Sequence, residues 1–106
     1  PLKVLIAGTF VEKKGIPDAI EALGRIKHKT PLEITIIGDS NRQERSQREK
    51  ARILDALRST GLDTRTRMPG YQPYSTLIEE AYRHHLFLSP SILASDGDSE
   101  GGAPVT

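Results

Sequence analysis

Three carboxylates, Asp96, Asp98 and Glu100, occupy alternate positions in the stretch SDGDSEGG. Oxygen ligands at this spacing could hold a cation, accept hydrogen bonds from sugar hydroxyls, or simply be hydrated. Counted as a calcium loop from Asp96, the residues Asp98, Glu100 and Gly101 take the third, fifth and sixth places. The twelfth place falls beyond Thr106, and the loop follows a strand and Pro90, where a calcium loop follows a helix. That disfavours the calcium reading and leaves a hydroxyl-binding loop or a hydrated one. Glycines beside the carboxylates let backbone N–H groups come close to a ligand.

A second stretch, GTFVEKKGIPD, points to a different chemistry. Gly8 ends an apolar run, Lys13 and Lys14 follow, and Gly15 precedes a helix start. A helix N-terminus offers unpaired N–H groups and partial positive charge, and lysine adds a mobile full charge. The set suits a phosphate; solvated lysines beside a turn glycine are the plain alternative. Neither G-x-G-x-x-G nor G-x-x-x-x-G-K-[ST] is present. His84 and His85 are adjacent, so their side chains diverge and cannot easily share a metal. With no cysteine, zinc would depend on histidine and carboxylates. Tyr71 stands out among the tyrosines because it falls in a loop. No nucleophile motif occurs.

These loops must be delivered by regular elements. Leu2 to Ala7 and Leu32 to Ile37 are β-rich apolar runs, each closed by glycine, and read as strands buried on both faces. Thr64 to Met68 is a weaker strand, ended by Pro69-Gly70-Tyr71, and Leu86 to Leu88 a short fourth one. Between them, Ile16, Ala19, Ile20, Leu23 and Ile26 form a helical stripe with Pro17 in the first turn. A second helix is expected from Arg45 to Ser59, burying Ile53, Leu54 and Leu57, with Gly61 as its stop. A third begins at an N-cap Ser75 and carries Leu77, Ile78, Ala81 and Tyr82.

The alternation predicts an α/β fold: a Rossmann-like parallel sheet of about four strands with helices on both faces. Ligands of such sheets lie beyond the carboxyl ends of the strands. That rule gathers the Gly8 loop, the Gly70 loop and the acidic loop at one rim. A flavodoxin-like phosphate-binding or regulatory module shares the alternation. The acidic pair that a receiver domain needs by its first strand is absent from Leu2 to Gly8.

Composition is compatible with this. The chain has 106 residues, 36% hydrophobic and 27% charged, with a net charge of +1 and the signs mixed. Nothing there calls for nucleic acid, and no apolar run approaches the roughly 20 residues of a membrane helix. The expectation is a cytoplasmic domain without an integral membrane segment. A start at Pro1 and a stop at Val105-Thr106 suggest a fragment.

Four segments, IAGTFVEKKGIPDAIEAL, LEITIIGDS, RMPGY and HLFLSPSILASDGDSEGGAPV, stand in an order that resembles the group 1 (family 4) glycosyltransferases of GT-B fold, specifically their C-terminal domain. The resemblance runs over essentially the whole chain. The variant DGDSEGGAPV is most similar to bacterial enzymes of exopolysaccharide synthesis. On this resemblance, residues 1–106 are part of a nucleotide-sugar-binding domain, the incomplete C-terminal half of a GT-B enzyme. It implies a retaining hexosyltransferase-type reaction from a nucleotide-diphosphate sugar to an acceptor hydroxyl, without metal or other cofactor.

Lys14 matches the lysine that meets the donor phosphates, and Gly8 the glycine at the end of the first strand. Thr9 stands where the family usually has an arginine, and Gly15 opens the helix behind the phosphate site. Pro69, Gly70 and Tyr71 match the region that cups the nucleobase. Glu100 matches the first glutamate of an E-x7-E motif, contacting the transferring sugar, with Gly101, Gly102 and Ala103 offering N–H groups beside it. The EGGAPVT wording is one residue longer than the usual family version, and the second glutamate lies beyond Thr106. An acceptor glycan or lipid-linked saccharide would be held by an N-terminal domain absent from this sequence, so the chain alone is expected to be inactive. A full-length protein would be peripheral on the inner face of the membrane.

Overall fold

A computed structural model describes residues 1–88. Four parallel strands, β1 (Leu2–Ala7), β2 (Leu32–Ile37), β3 (Thr66–Gly70) and β4 (Leu86–Leu88), form one sheet in the order β3-β2-β1-β4. The helices α1 (Ile16–Gly24), α2 (Glu44–Thr60) and α3 (Tyr74–Arg83) are the crossovers. This is the α/β arrangement expected from the alternation.

Alternation along the strands separates two faces. Val4, Ile6, Ile34 and Ile36 pack with Ile16, Ile20 and Leu23 of α1 and Ile53, Ala56 and Leu57 of α2 in one apolar core. Phe10, in the loop after β1, and Leu62 are fully buried in the same core. The offset row Arg67, Thr35, Leu5 and Phe87 crosses the sheet on the other face, where Glu80 of α3 meets Arg67.

Helix ends follow local chemistry. Pro17 sits in the first turn of α1, and Gly61 caps α2 with φ of 74°, its N–H donating back to Arg58. Four expectations need correction. Ile26 falls after α1 has ended at Gly24 and is exposed, as is Leu54, which lies off the buried stripe of α2. The α3 helix starts at Tyr74 after Pro73, and no side chain caps it, so Ser75 is not its N-cap. Tyr82 does not join a buried face either, being 89% exposed.

The third strand begins later and runs further than Thr64 to Met68. A 3-10 turn at Asp63–Arg65 precedes it, and Pro69 lies inside it. An edge strand tolerates this proline because one of its sides needs no N–H donor. Between the pairs Thr35–Arg67 and Ile37–Gly70, β3 carries one more residue than β2. The bulge at Met68–Pro69 carries Gly70 to the end of β2, where its carbonyl accepts the Gly38 N–H at 3.0 Å.

Candidate functional site at the carboxyl rim

Three loops meet where β1, β2 and β3 end. Gly8 leaves β1 with φ of 142° and donates its N–H to the Ile37 carbonyl. Gly38, with φ of 140°, passes so close that a Cβ there would stand 1.9 Å from the Gly8 oxygen. Two glycines are therefore required for the ends of neighbouring strands to turn together.

The chain then winds through a 3-10 turn at Glu12–Lys14 and reaches Gly15, which is left-handed and opens α1. This turn folds Lys14 back over Gly8. A Cβ on Gly8 would meet the Cε, Cδ and Cγ atoms of Lys14 at 3.4, 3.6 and 3.9 Å. The ammonium thus belongs to a side chain laid across the end of β1, beside the start of α1. A bare glycine below and a flexible cation above can accommodate an anion at this point.

The rim is tied together from the β3 side by Tyr71. Its hydroxyl donates to the Asp39 carbonyl at 2.9 Å. Since its one proton is used there, it can only accept from the Thr9 hydroxyl, 3.5 Å away and at the limit of hydrogen-bond length. The same Asp39 carbonyl takes the Phe10 N–H at 3.1 Å. Tyr71 remains 56% exposed, so its ring is anchored at the tip and open to solvent.

Two further residues of this construction are not among the site residues expected from sequence. Ser46, 1% exposed in the first turns of α2, donates its hydroxyl to the Phe10 carbonyl at 2.6 Å and accepts the Asn41 N–H at 3.0 Å. It stitches the loop after β1 to the loop after β2. Ser46→Ala would leave two backbone groups without their partner, an expected loss of about 2 kcal/mol in urea unfolding. A loss under about 0.5 kcal/mol would mean water replaces the hydroxyl.

Asp39 is the second. Its carboxylate accepts the Ser40 N–H at 2.7 Å and pairs with Lys50 at 2.9 Å. The Lys50 hydrogen bond, then the Ser40 N–H, hold the Asp39 carboxyl below its ordinary value of 3.8, against a small opposing effect of burial. A lowered folded-state pKa gives stability that is present at neutral pH and lost as pH falls from 3.8 through the folded value. Both side chains are well exposed, so the pair is worth under about 1 kcal/mol. The unfolding midpoints of the parent and Asp39→Asn are expected to differ at pH 7 and to draw together as pH falls below 3.8; a constant offset would contradict this origin.

The structure places Gly8, Thr9, Lys14, Gly15, Gly70 and Tyr71 around one rim, with Pro69 in the strand leading to it. Glu100, Gly101, Gly102 and Ala103 lie outside the described residues, as do Asp96 and Asp98. His84 and His85 go separate ways. His85 exchanges hydrogen bonds with the backbone of Lys3, while His84 faces Thr35 under α3. Among the described residues no group of three metal-binding side chains is found, and no helix is long and apolar enough to cross a membrane.

A family model described as glycosyl transferases group 1 matches residues 1–105. The chain belongs to this family. Among its curated relatives, the amylovoran biosynthesis glycosyltransferase AmsK of Erwinia amylovora is 31% identical over 102 residues. The putative colanic acid biosynthesis glycosyltransferases WcaL of Escherichia coli K12 and Salmonella typhimurium LT2 are 30% and 31% identical over 107 residues. Each alignment takes in 95% of this chain and 23% of the relative, so the chain spans about a quarter of their length.

Solved structures agree on the fold. Trehalose-6-phosphate synthase OtsA superposes with a TM-score of 0.64 at 13% identity, over 84% of this chain and 23% of that one. The apo lipopolysaccharide outer core galactosyltransferase WaaB gives 0.56 at 21% identity, over 85% and 24%. Both are GT-B glycosyltransferases, and this group 1 chain shares their α/β architecture.

Proposed function

We propose that the chain supplies the donor-binding part of a retaining glycosyltransferase that moves a sugar from a nucleotide diphosphate to an acceptor hydroxyl in polysaccharide synthesis. The observation carrying this reading is the placement of Lys14 across Gly8 at the carboxyl rim, next to the N-terminus of α1. A diphosphate seated there would meet a lysine and backbone N–H groups. Their charge is of the sign needed where negative charge builds on the leaving group, and preorganised groups of this kind lower a barrier efficiently. The relatives' names, which place them in amylovoran and colanic acid biosynthesis, support a polysaccharide product.

In this reading Pro69, Gly70 and Tyr71 border the nucleobase, and Glu100, with the N–H groups of Gly101, Gly102 and Ala103, holds the transferring sugar. No metal or other cofactor takes part. The acceptor glycan or lipid-linked saccharide is held by sequence outside this chain, and the reaction takes place in the cytoplasm. Hexosyl specificity would be set by the sugar-facing loop.

Calorimetric titration of the chain with uridine, guanosine and adenosine diphosphates and their sugar conjugates is the direct test. One nucleotide class should bind in preference to the others, with no turnover in donor-hydrolysis or transfer assays. Absence of binding by every nucleotide would overturn the donor assignment, and clear turnover would overturn the division of labour.

A further inference from the structure

At the amino ends of the strands, on the face covered by α3, lies a cleft of about 610 Å³. Its size is that of a small-molecule site, but its walls are polar. Four cationic side chains line it: Lys3, Arg65, Arg67 and Arg83. Two carboxylates share the lining. Glu80 is already bound by Arg67 at 3.2 Å, and Glu33 stands opposite Lys3 in the β1–β2 register. Lys3, Arg65 and Arg83 make no ion pair among the described residues. Cations therefore outnumber carboxylates by four to two in a concave space.

The floor is held in a fixed pattern. Arg67 Nη2 donates to Thr35 Oγ1 at 3.1 Å as well as to Glu80. His84 Nδ1 faces the Glu80 carbonyl, which can only accept, so Nδ1 carries a proton. In the neutral ring Nε2 then accepts the Thr35 hydroxyl proton over 3.1 Å. The Thr35 hydroxyl thus both donates and accepts, and the Arg67 guanidinium is oriented, with its Nη1 and Nε donors unused by these bonds. An oriented guanidinium flanked by further cations is a recognition element for oxyanions. The C-terminal end of α3 opposes an anion here, but its partial charge is about half a unit and Arg83 stands on its last turn.

We propose that this cleft binds a phosphate-class dianion at a site separate from the Lys14 rim. Lys3 and Ala7 are four residues apart on β1, roughly 13 Å along the strand at about 3.3 Å per residue. The same phosphate chemistry could be carried by a soluble metabolite or by a lipid headgroup. A polar concavity favours the soluble one.

The test is an amide-resolved NMR titration of the chain with inorganic pyrophosphate, and separately with phosphatidic acid vesicles. Saturable shifts are expected at Lys3, Thr35, Arg67 and His84. They should weaken about tenfold for Arg65→Ser or Arg83→Ser and about a hundredfold for both together. Neither arginine makes an ion pair among the described residues, so thermal melting should show both variants folded. Lys14→Ala should leave the cleft shifts unchanged. Shifts confined to Gly8–Gly15, affinity unaltered in the double arginine variant, no shifts at all, or binding to vesicles alone would each overturn the proposal.

Discussion

Gly38→Ala is expected to abolish cooperative folding of the chain. The added methyl would be placed 1.9 Å from the Gly8 carbonyl oxygen, a backbone atom that cannot rotate away. The φ of 140° is also one that alanine rarely adopts. Relieving the overlap means separating the ends of β1 and β2 and losing the Gly8–Ile37 and Gly38–Gly70 hydrogen bonds. The combined cost exceeds about 4 kcal/mol, a large part of the 5–15 kcal/mol that holds an ordinary domain together. Gly70→Ala is the matched comparison. It shares the strain, with φ of 84°, but a Cβ there meets nothing within 4 Å, so a loss of about 1–2 kcal/mol is expected. Urea unfolding followed by circular dichroism separates the two, and equal losses would show that crowding at Gly8 is not the cause.

The second large effect is on binding. Lys14→Ala should weaken the preferred nucleoside diphosphate by about 10- to 100-fold, the worth of one charge-assisted contact to phosphate at about 1.5–3 kcal/mol. Thermal stability should change little, since Lys14 covers Gly8 at the surface and lies outside the apolar core. Lys14→Arg keeps the charge on a bulkier head and should recover part of the affinity. Calorimetry decides: an unchanged dissociation constant in Lys14→Ala would remove Lys14 from the phosphate site.

The order of elements was readable because each local signal agreed with the next. Apolar runs such as Val4-Leu5-Ile6 end at glycine, and helical stripes such as Ile16, Ile20 and Leu23 begin after it. Group 1 membership was readable from the same segments. What escaped depends on contacts distant in sequence. Ser46 looks like one more polar residue in NRQERSQREK until the Phe10 carbonyl, 36 residues away, is seen to lie against it. Phe10 itself sits in a loop, where no periodicity marks it, yet no part of it is exposed. Asp39 gains its place through its carbonyl oxygen, an atom every residue possesses, so its type gave no clue. Pro69 read as the end of a strand because a proline inside an interior strand would cost a ladder bond. Only the sheet order reveals that β3 lies at the edge.

The additional residue in β3 sets a rule for how this rim can change. Side chains alternate with a period of two, yet Arg67 and Gly70 pair with residues only two apart although three positions separate them, so removing Met68 or Pro69 would restore regular pairing and erase the bulge. The pairs with Thr35 and Ile37 would survive, while the bend that a bulge puts into the strand just before Tyr71 would be lost. Exchanging one amino acid for another here leaves that bend in place, whereas shortening the segment between Thr66 and Tyr71 re-aims the rim while sparing the sheet.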